Sequence, residues 1–289
     1  MSALTHAKAA PLWALCFGLM ANSAAVAGPN QPTPIKTSCS VGTAVPASSL
    51  GGDVNRAAIQ ARLDAAKAGA MVRLGSGVFT LSGALRLPTG VTLCSASGAI
   101  LKWAGPAAAE GAAYAIDGGT SSNIRVANIT FDGAGIVLSG GSNAIIEANV
   151  FRNVKPVGLT STQNVYGWTA LKLVDTASIK VRQNVFVDLA AGGIAAWRLT
   201  GSPTNLSEVT GNWFARMNQP ISMDNAQYVT IDRNEGYEIE RMAVELIGAQ
   251  MADSAILVNP GIVVSNNRFS NWKGFNTKDC LGNGDCLKR

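Results

Sequence analysis

Histidine is nearly absent from this 289-residue chain, whose one copy is His6. Residues 1–27 read as a secretory signal, so the mature protein is expected to have none. That excludes Ser-His and Cys-His nucleophilic pairs and His-ligated metal sites. Any catalysis must then run on carboxylates, Lys, Arg and Tyr. Basic runs are missing as well. The formal charge of +5, or +4 once Lys8 leaves with the signal, is spread along the chain, whereas nucleic acid would need a clustered basic footprint. After residue 27 no apolar stretch is long enough to span a bilayer, so no membrane contact is expected once the signal is removed. No spacing of acids matches a calcium loop. Asp279, Asn283 and Asp285 read as turn residues, and no metal or other cofactor is expected.

The signal itself is legible in "PLWALCFGLMANSAAVA", which follows His6 and Lys8 and ends in Ala25-Val26-Ala27. Its apolar core is too short for a membrane span, and its small-residue end suits cleavage after Ala27. Leu15, just before Cys16, is too large for lipoprotein processing. The expected location is secreted or periplasmic.

What the chain does contain is a repeated figure. "EANVFRN" (147–153), "RQNVFVD" (182–188), "TGNWFAR" (210–216) and "SNNRFSN" (265–271) each carry an Asn followed two residues later by Phe, and "VANITFD" and "DRNEGYE" are looser copies. The markers are Asn128, Asn149, Asn184, Asn212, Asn234 and Asn267, in steps of 21, 35, 28, 22 and 33 residues. A period near the shortest steps, with insertions, belongs to a solenoid whose units bury their apolar faces only by stacking. Each unit opens on an alternating segment, "GIVLS", "ALKLV", "GIAAW", "PISMD" or "AVELI", and alternation means strand. A second strand ends at the Asn, where the chain must turn. Asn tolerates left-handed backbone and can bond local backbone, so stacked copies predict an amide ladder, with Phe151, Phe186 and Phe214 stacked inside.

On these units, and on "GGDVNRAAIQARLDAAKAGAMVRLGSGVFTLSGALRLPTGVTLCSASGAIL", the chain resembles the right-handed parallel β-helix proteins of the pectate-lyase-like superfamily. The resemblance implies an all-β solenoid with an amphipathic helix over its first coil. Asp53 or Asn55 is expected to cap that helix, Val54, Ala58, Leu63 and Ala66 to form its apolar side, and Gly69 to stop it. The expected organisation is the signal at 1–27, an extended lead at 28–50, one β-helix domain at 51–272 and a tail at 273–289. A monomer is expected. The superfamily's better known signatures, "NTDG", "GHG", "WIDH" and "DPH", do not occur.

Without the signal, four cysteines remain for an oxidising compartment. Two bridges fit: Cys280–Cys286 around "LGNGD", and Cys39–Cys94 joining "TSCSVG" to an early strand. One bridge with two free buried thiols is the other reading.

Alternation also predicts which side chains point out. Lys172, Trp197, Asp224 and Glu245 fall on one outward face, where the superfamily commonly binds substrate, and the insertions 155–169 and 238–242 would overhang it. Each residue alone has a plain surface explanation. Together they offer an aromatic platform beside acids and cations, as acid–base work on a glycan requires. Asp224, Glu245, Lys172 and Arg241 are the candidate catalytic residues, and Trp197, Arg198 and Tyr237 the candidate substrate-binding ones. The expected function is a secreted carbohydrate-active enzyme on a polysaccharide, acidic or not, working as a glycoside hydrolase or a lyase. The alternative is a non-catalytic glycan-binding or surface structural module.

Overall fold

The computed structural model describes residues 32–40, 42–107, 111–155, 169–247 and 260–271. Among them, helix α1 (Gly52–Asp64) precedes nineteen strands. These are β1 (Met71–Leu74), β2 (Gly77–Leu81), β3 (Leu85–Arg86), β4 (Thr92–Trp103), β5 (Tyr114–Asp117), β6 (Arg125–Asp132), β7 (Gly135–Ser139), β8 (Ile145–Glu147), β9 (Val150–Arg152) and β10 (Thr169–Val174). There follow β11 (Lys180–Arg182), β12 (Val185–Trp197), β13 (Ser207–Thr210), β14 (Trp213–Asp224), β15 (Val229–Asp232), β16 (Glu235–Ile239), β17 (Val244–Ile247), β18 (Val263–Ser265) and β19 (Arg268–Ser270).

Every pairing between these strands is parallel, and they stack into three ladders of a right-handed β-helix. The first ladder holds β3, β5, β7, β10, the ends of β12 and β14, and β17. The second holds β1, the starts of β4 and β6, then β8, β11, β13, β15 and β18. The third holds β2, the ends of β4 and β6, β9, the starts of β12 and β14, β16 and β19.

Alternation along each strand builds the core. In the first ladder, Ile136, Leu171, Ile194 and Ile221 align in one inward row and Leu138, Leu173, Ala196 and Met223 in another, and all are buried. In the third, the rings of Phe131, Phe151, Phe186 and Phe214 stack with centroids 4.9, 4.7 and 5.0 Å apart. The column stops at Gly236, next in register. The ring of Phe269 lies over that glycine, where a Cβ would collide with it.

The amide ladder forms at the corner between the second and third ladders. The backbone N–H and Nδ2 of Asn149 both donate to Asn184 Oδ1, at 3.0 and 3.1 Å. Asn184 binds Asn212 in the same way, Asn212 binds Asn234, and Asn234 binds Asn267. The spare amide hydrogen of Asn184 goes to Ile146 O at 2.8 Å. Two details differ from the expectation. The left-handed residue is the one before the Asn, namely Ala148, Gln183, Gly211, Arg233 and Asn266, with φ between 50° and 62°. That turn leaves the Asn itself free to bury its side chain. Asn128 is not a rung: its own φ is 60°, Ile129 N–H takes its place at Asn149 Oδ1, and its amide binds the backbone of Thr37 instead.

At the start of the solenoid α1 buries Asn55, Ile59 and Leu63, a spacing of four that makes one helix face. Val54 and Ala58 are exposed, contrary to expectation. The N-cap is Gly51, with no side-chain cap. Asn55 instead points inward and exchanges bonds with the backbone of Ser48, while Asp53 accepts a bond from Ser82 Oγ. The helix ends at Asp64, and Gly69 (φ 84°) lies in the turn beyond.

The lead running up to α1 lies against the second ladder. Cys39 and Cys94 are joined in a disulfide, and Arg125 reaches Ser38 O and Thr37 Oγ1. Cys280 and Cys286 lie outside the described residues, as do the signal region and the tail. Among the described residues no helix is long and apolar enough to cross a membrane.

Candidate functional site

The outward side of the first ladder carries two rows. One runs Arg86, Asp117, Val137, Lys172, Ala195, Ser222, Glu245, and the other Ser139, Val174, Trp197, Asp224, Ile247. Trp197, Asp224 and Glu245 therefore come together as the alternation predicted. Trp197 and Asp224 are direct neighbours in register, and Glu245 is one strand on and one outward position back. From strand spacing and rise, the Cβ atoms of Asp224 and Glu245 are about 8 Å apart.

Glu245 is held in place by two side chains of β14. Its Oε2 accepts a bond from Gln219 Nε2 at 2.7 Å and from Ser222 Oγ at 2.8 Å. Both donors are 1% exposed, so neither can easily turn to water instead. Two donors converging on one oxygen fix the orientation of the carboxyl group. Ser222 faces outward because it alternates with the inward Ile221 and Met223. Gln219 escaped the sequence because its strand departs from strict alternation: the pairing of β12 with β14 shifts register between Leu189 and Gly192, just before Gly192 meets Gln219. The Oε1 of Gln219 is buried without a hydrogen-bond partner.

Trp197 is 44% exposed, with the Arg198 guanidinium 5.6 Å from the ring centroid. Arg198 itself turns into the corner at φ 54° and forks onto Asp175, its Nη2 2.6 Å from Oδ2. The hydrogen bonds from Arg198 hold the Asp175 carboxyl below the usual carboxylate range. Arg198 is thus part of a corner ion pair. Lys172 shares the row of Glu245 but stands three strands away, about 14 Å. Between them lie the small buried residues Ala195 and Ser222.

Arg241 sits in the corner ahead of β17, where its N–H donates to Asn218 O at 2.8 Å. Tyr237 is not on this face. It lies on β16 in the third ladder, packed outside the coil against an apolar cluster that includes Val185, Val187, Trp213 and Ala215, because the chain turns at Glu238 (φ 55°) between the two ladders. Of the insertions expected over the face, 156–168 lies outside the described residues.

Among the described residues no three His, Cys, Asp or Glu side chains gather as a metal would need. A shallow depression between α1 and the early coils, lined by residues including Asp64, Arg86, Pro88 and Asp117, lies at the capped end, away from Glu245.

With ladders, corners and outward face in place, the chain is a right-handed parallel β-helix. No protein-family model matches its sequence, nor does any curated protein. Among solved structures it is similar to PfbA, a surface adhesin of Streptococcus pneumoniae, at 14% identity, covering 78% of this chain and 72% of that one with a TM-score of 0.53. It is also similar to jun a 1, the major allergen from cedar pollen, at 14% identity, over 71% and 70% of the two chains, with a TM-score of 0.45. A third is the A-module of the mannuronan C-5 epimerase AlgE6 of Azotobacter vinelandii, at 12% identity, over 75% and 94%, with a TM-score of 0.36. At these identities the likeness is one of fold, and one fold hosts many activities.

Proposed function

We propose that this is a secreted protein that holds a polysaccharide across the outward face of the first ladder and cleaves it by hydrolysis. Asp224 and Glu245 are the acid–base pair, and Trp197 is the platform for a sugar ring. The observation that carries this reading is the carboxylate of Glu245, held at Oε2 by Gln219 and Ser222 on the face that also bears Trp197 and Asp224. The Cβ separation of about 8 Å lets side-chain rotation reach either the ≈ 5–5.5 Å carboxyl spacing of retaining glycosidases or the ≈ 6.5–9.5 Å of inverting ones.

Hydrolysis is better supported than β-elimination. Elimination needs a base beside a cation that neutralises a uronate, yet Lys172 is remote from the pair and Arg198 is bound to Asp175. Secretion is supported by the signal-like leader and by the Cys39–Cys94 bridge, which suits an oxidising compartment. Glycan binding without cleavage is the second reading. It is favoured by the exposed Trp197 ring with the Arg198 guanidinium beside it.

The test is a polysaccharide panel with purified mature protein. New reducing ends without ultraviolet absorbance mean hydrolysis, unsaturated uronates mean a lyase, and retention without products means binding alone. Asp224→Asn and Glu245→Gln should each lower turnover by about 10²–10⁴-fold with the melting point nearly unchanged. Trp197→Ala should mainly weaken binding. Wild-type activity in both amide variants would put the site elsewhere.

A further inference from the structure

We infer that the open end of the solenoid is the docking surface of the chain's own tail, residues 272–289, and that Trp272 seats there as the last member of an inward column. This concerns the end of the coil and does not depend on the glycan reading.

The end needs a cover in all three ladders. Val244 and Leu246 on β17 are only half-buried, although their register partners Ile221 and Met223 are wholly buried. Val264 on β18 is exposed beside buried Ile231. Phe269 on β19 is half-buried, whereas Phe214, two strands back, is wholly buried. Among the described residues β17, β18 and β19 each pair on one side only. Unpaired strand edges around an apolar end are a template for another chain unless something covers them.

The corners between the third and first ladders say which segment does so. Five of them turn at a left-handed residue: Asn153, Asp188, Arg216, Glu238 and Asn271, with φ between 50° and 56°. After each of the first four comes an apolar residue of the core, Val154, Leu189, Met217 or Ile239, none more than 3% exposed. These stack in one column. Ala190 N–H donates to Val154 O, Leu189 is in register with Met217, and Met217 with Ile239. The pairing of β16 with β19 sets Tyr237 against Ser270, and Asn271 Nδ2 donates to Glu238 Oε1 at 3.4 Å. One step further in the same register, the partner of Ile239 is Trp272. An indole that buries about 150–250 Å² covers more than its own column.

The rest of the tail does not build another coil. At the offsets where Ile221 and Met223 follow Arg216, and Val244 and Leu246 follow Glu238, the tail has Asn276, Thr277, Lys278 and Asp279. A strand continued through them would turn polar and charged groups inward without partners. Apolar alternation therefore stops after Trp272, and the tail serves as a cover. Its length is ample: eighteen residues, 272–289, span up to about 59 Å when extended, against about 10 Å between packed sheets.

The test labels the mature protein with fluorotryptophan and assigns the Trp272 fluorine resonance by its absence from Trp272→Phe. That resonance should barely move between light and heavy water, as a buried ring requires, while the resonance of exposed Trp197 shifts. Trp272→Ala should raise amide exchange in β16, β17 and β19 by about tenfold or more and leave β5 to β10 unchanged, with Trp272→Phe raising it less. A Trp272 resonance as solvent-sensitive as that of Trp197 overturns the inference, whether or not Trp272→Ala folds. Unchanged exchange in a folded Trp272→Ala overturns it as well. A solvent-exposed Trp272 in a protein that sediments as a dimer would give the end to a second copy of the chain instead.

Discussion

At the scale of single residues, one amide does the work of several bonds. Asn184 is buried, donates to Ile146 O and Asn212 Oδ1, and accepts from the backbone and side chain of Asn149. Replacing it by Ala leaves the Asn149 N–H inside the protein without its acceptor and removes one of the bonds to Ile146 O. Such an unpaired group costs about 1–3 kcal/mol, so Asn184→Ala should lower the denaturant midpoint markedly. Asn128→Ala is the control. Asn128 only ties the lead at Thr37, and its loss should cost about 0.5–1.5 kcal/mol. Equal losses for the two variants would mean that the ladder has no special weight. The ladder also explains why Ala148, Gln183 and Arg233 sit at positive φ, a conformation that costs a non-glycine residue about 1–2 kcal/mol. The bonds made by the Asn that follows offset it.

At the scale of elements, neighbouring strands are held by charge as well as backbone pairing. Glu147, on β8, bridges Arg125 on β6 and Arg182 on β11, at 2.6 and 2.9 Å. Its burial alone would raise the carboxyl pKa. Hydrogen bonds from the two arginines, and then their charges, outweigh this and hold it below the usual carboxylate range. A carboxyl whose folded pKa is depressed contributes stability that is present above its unfolded pKa, about 4.3, and is lost as pH falls through the folded value. The protein should therefore lose stability on acidification below about pH 4, and Glu147→Gln should flatten that part of the curve while lowering stability at neutral pH. Melting temperatures of both proteins between neutral and strongly acidic pH check this. An unchanged acid slope in the variant would assign the loss to other carboxylates, among them Asp188, which Arg216 also holds low.

At the scale of the whole molecule, the two ends of the solenoid differ. The first coils lie under α1, and the lead is fastened beside them by the Cys39–Cys94 bridge, a link across 55 residues. The last described coil is more open: Val264 is 43% exposed although its register partner Ile231 is wholly buried. Terminal repeats have a neighbour on one side only, so tethers there oppose fraying. Closing a loop of this length restricts the unfolded chain by about 2–4 kcal/mol. Reduction, or Cys39→Ser with Cys94→Ser, should lower the melting temperature. Hydrogen exchange should rise first in β1 and β4 and in the lead, and a uniform rise through the central coils would instead point to one indivisible folding unit.

The coil, the Phe column and most of the amide ladder could be read from the sequence by itself. Each rests on a pattern repeated at fixed local offsets, Asn then Phe two residues on, and alternation turns such a pattern directly into inward and outward faces. The placing of Trp197, Asp224 and Glu245 on one face follows from the same alternation. What only the tertiary structure decided lies at corners and register shifts, where that local rule lapses. Asn128 has the right neighbours in sequence, yet it turns outward to the lead, and Ile129 meets Asn149 in its stead. Gln219 reaches Glu245 across 26 residues after a shift in register, Arg198 finds Asp175 across 23, and the turn at Glu238 leaves Tyr237 on a different ladder. A side chain's direction along a strand is set by its own backbone, whereas its partner on the next coil is set by how many residues each intervening corner consumes, and that count is settled only when the coils stack.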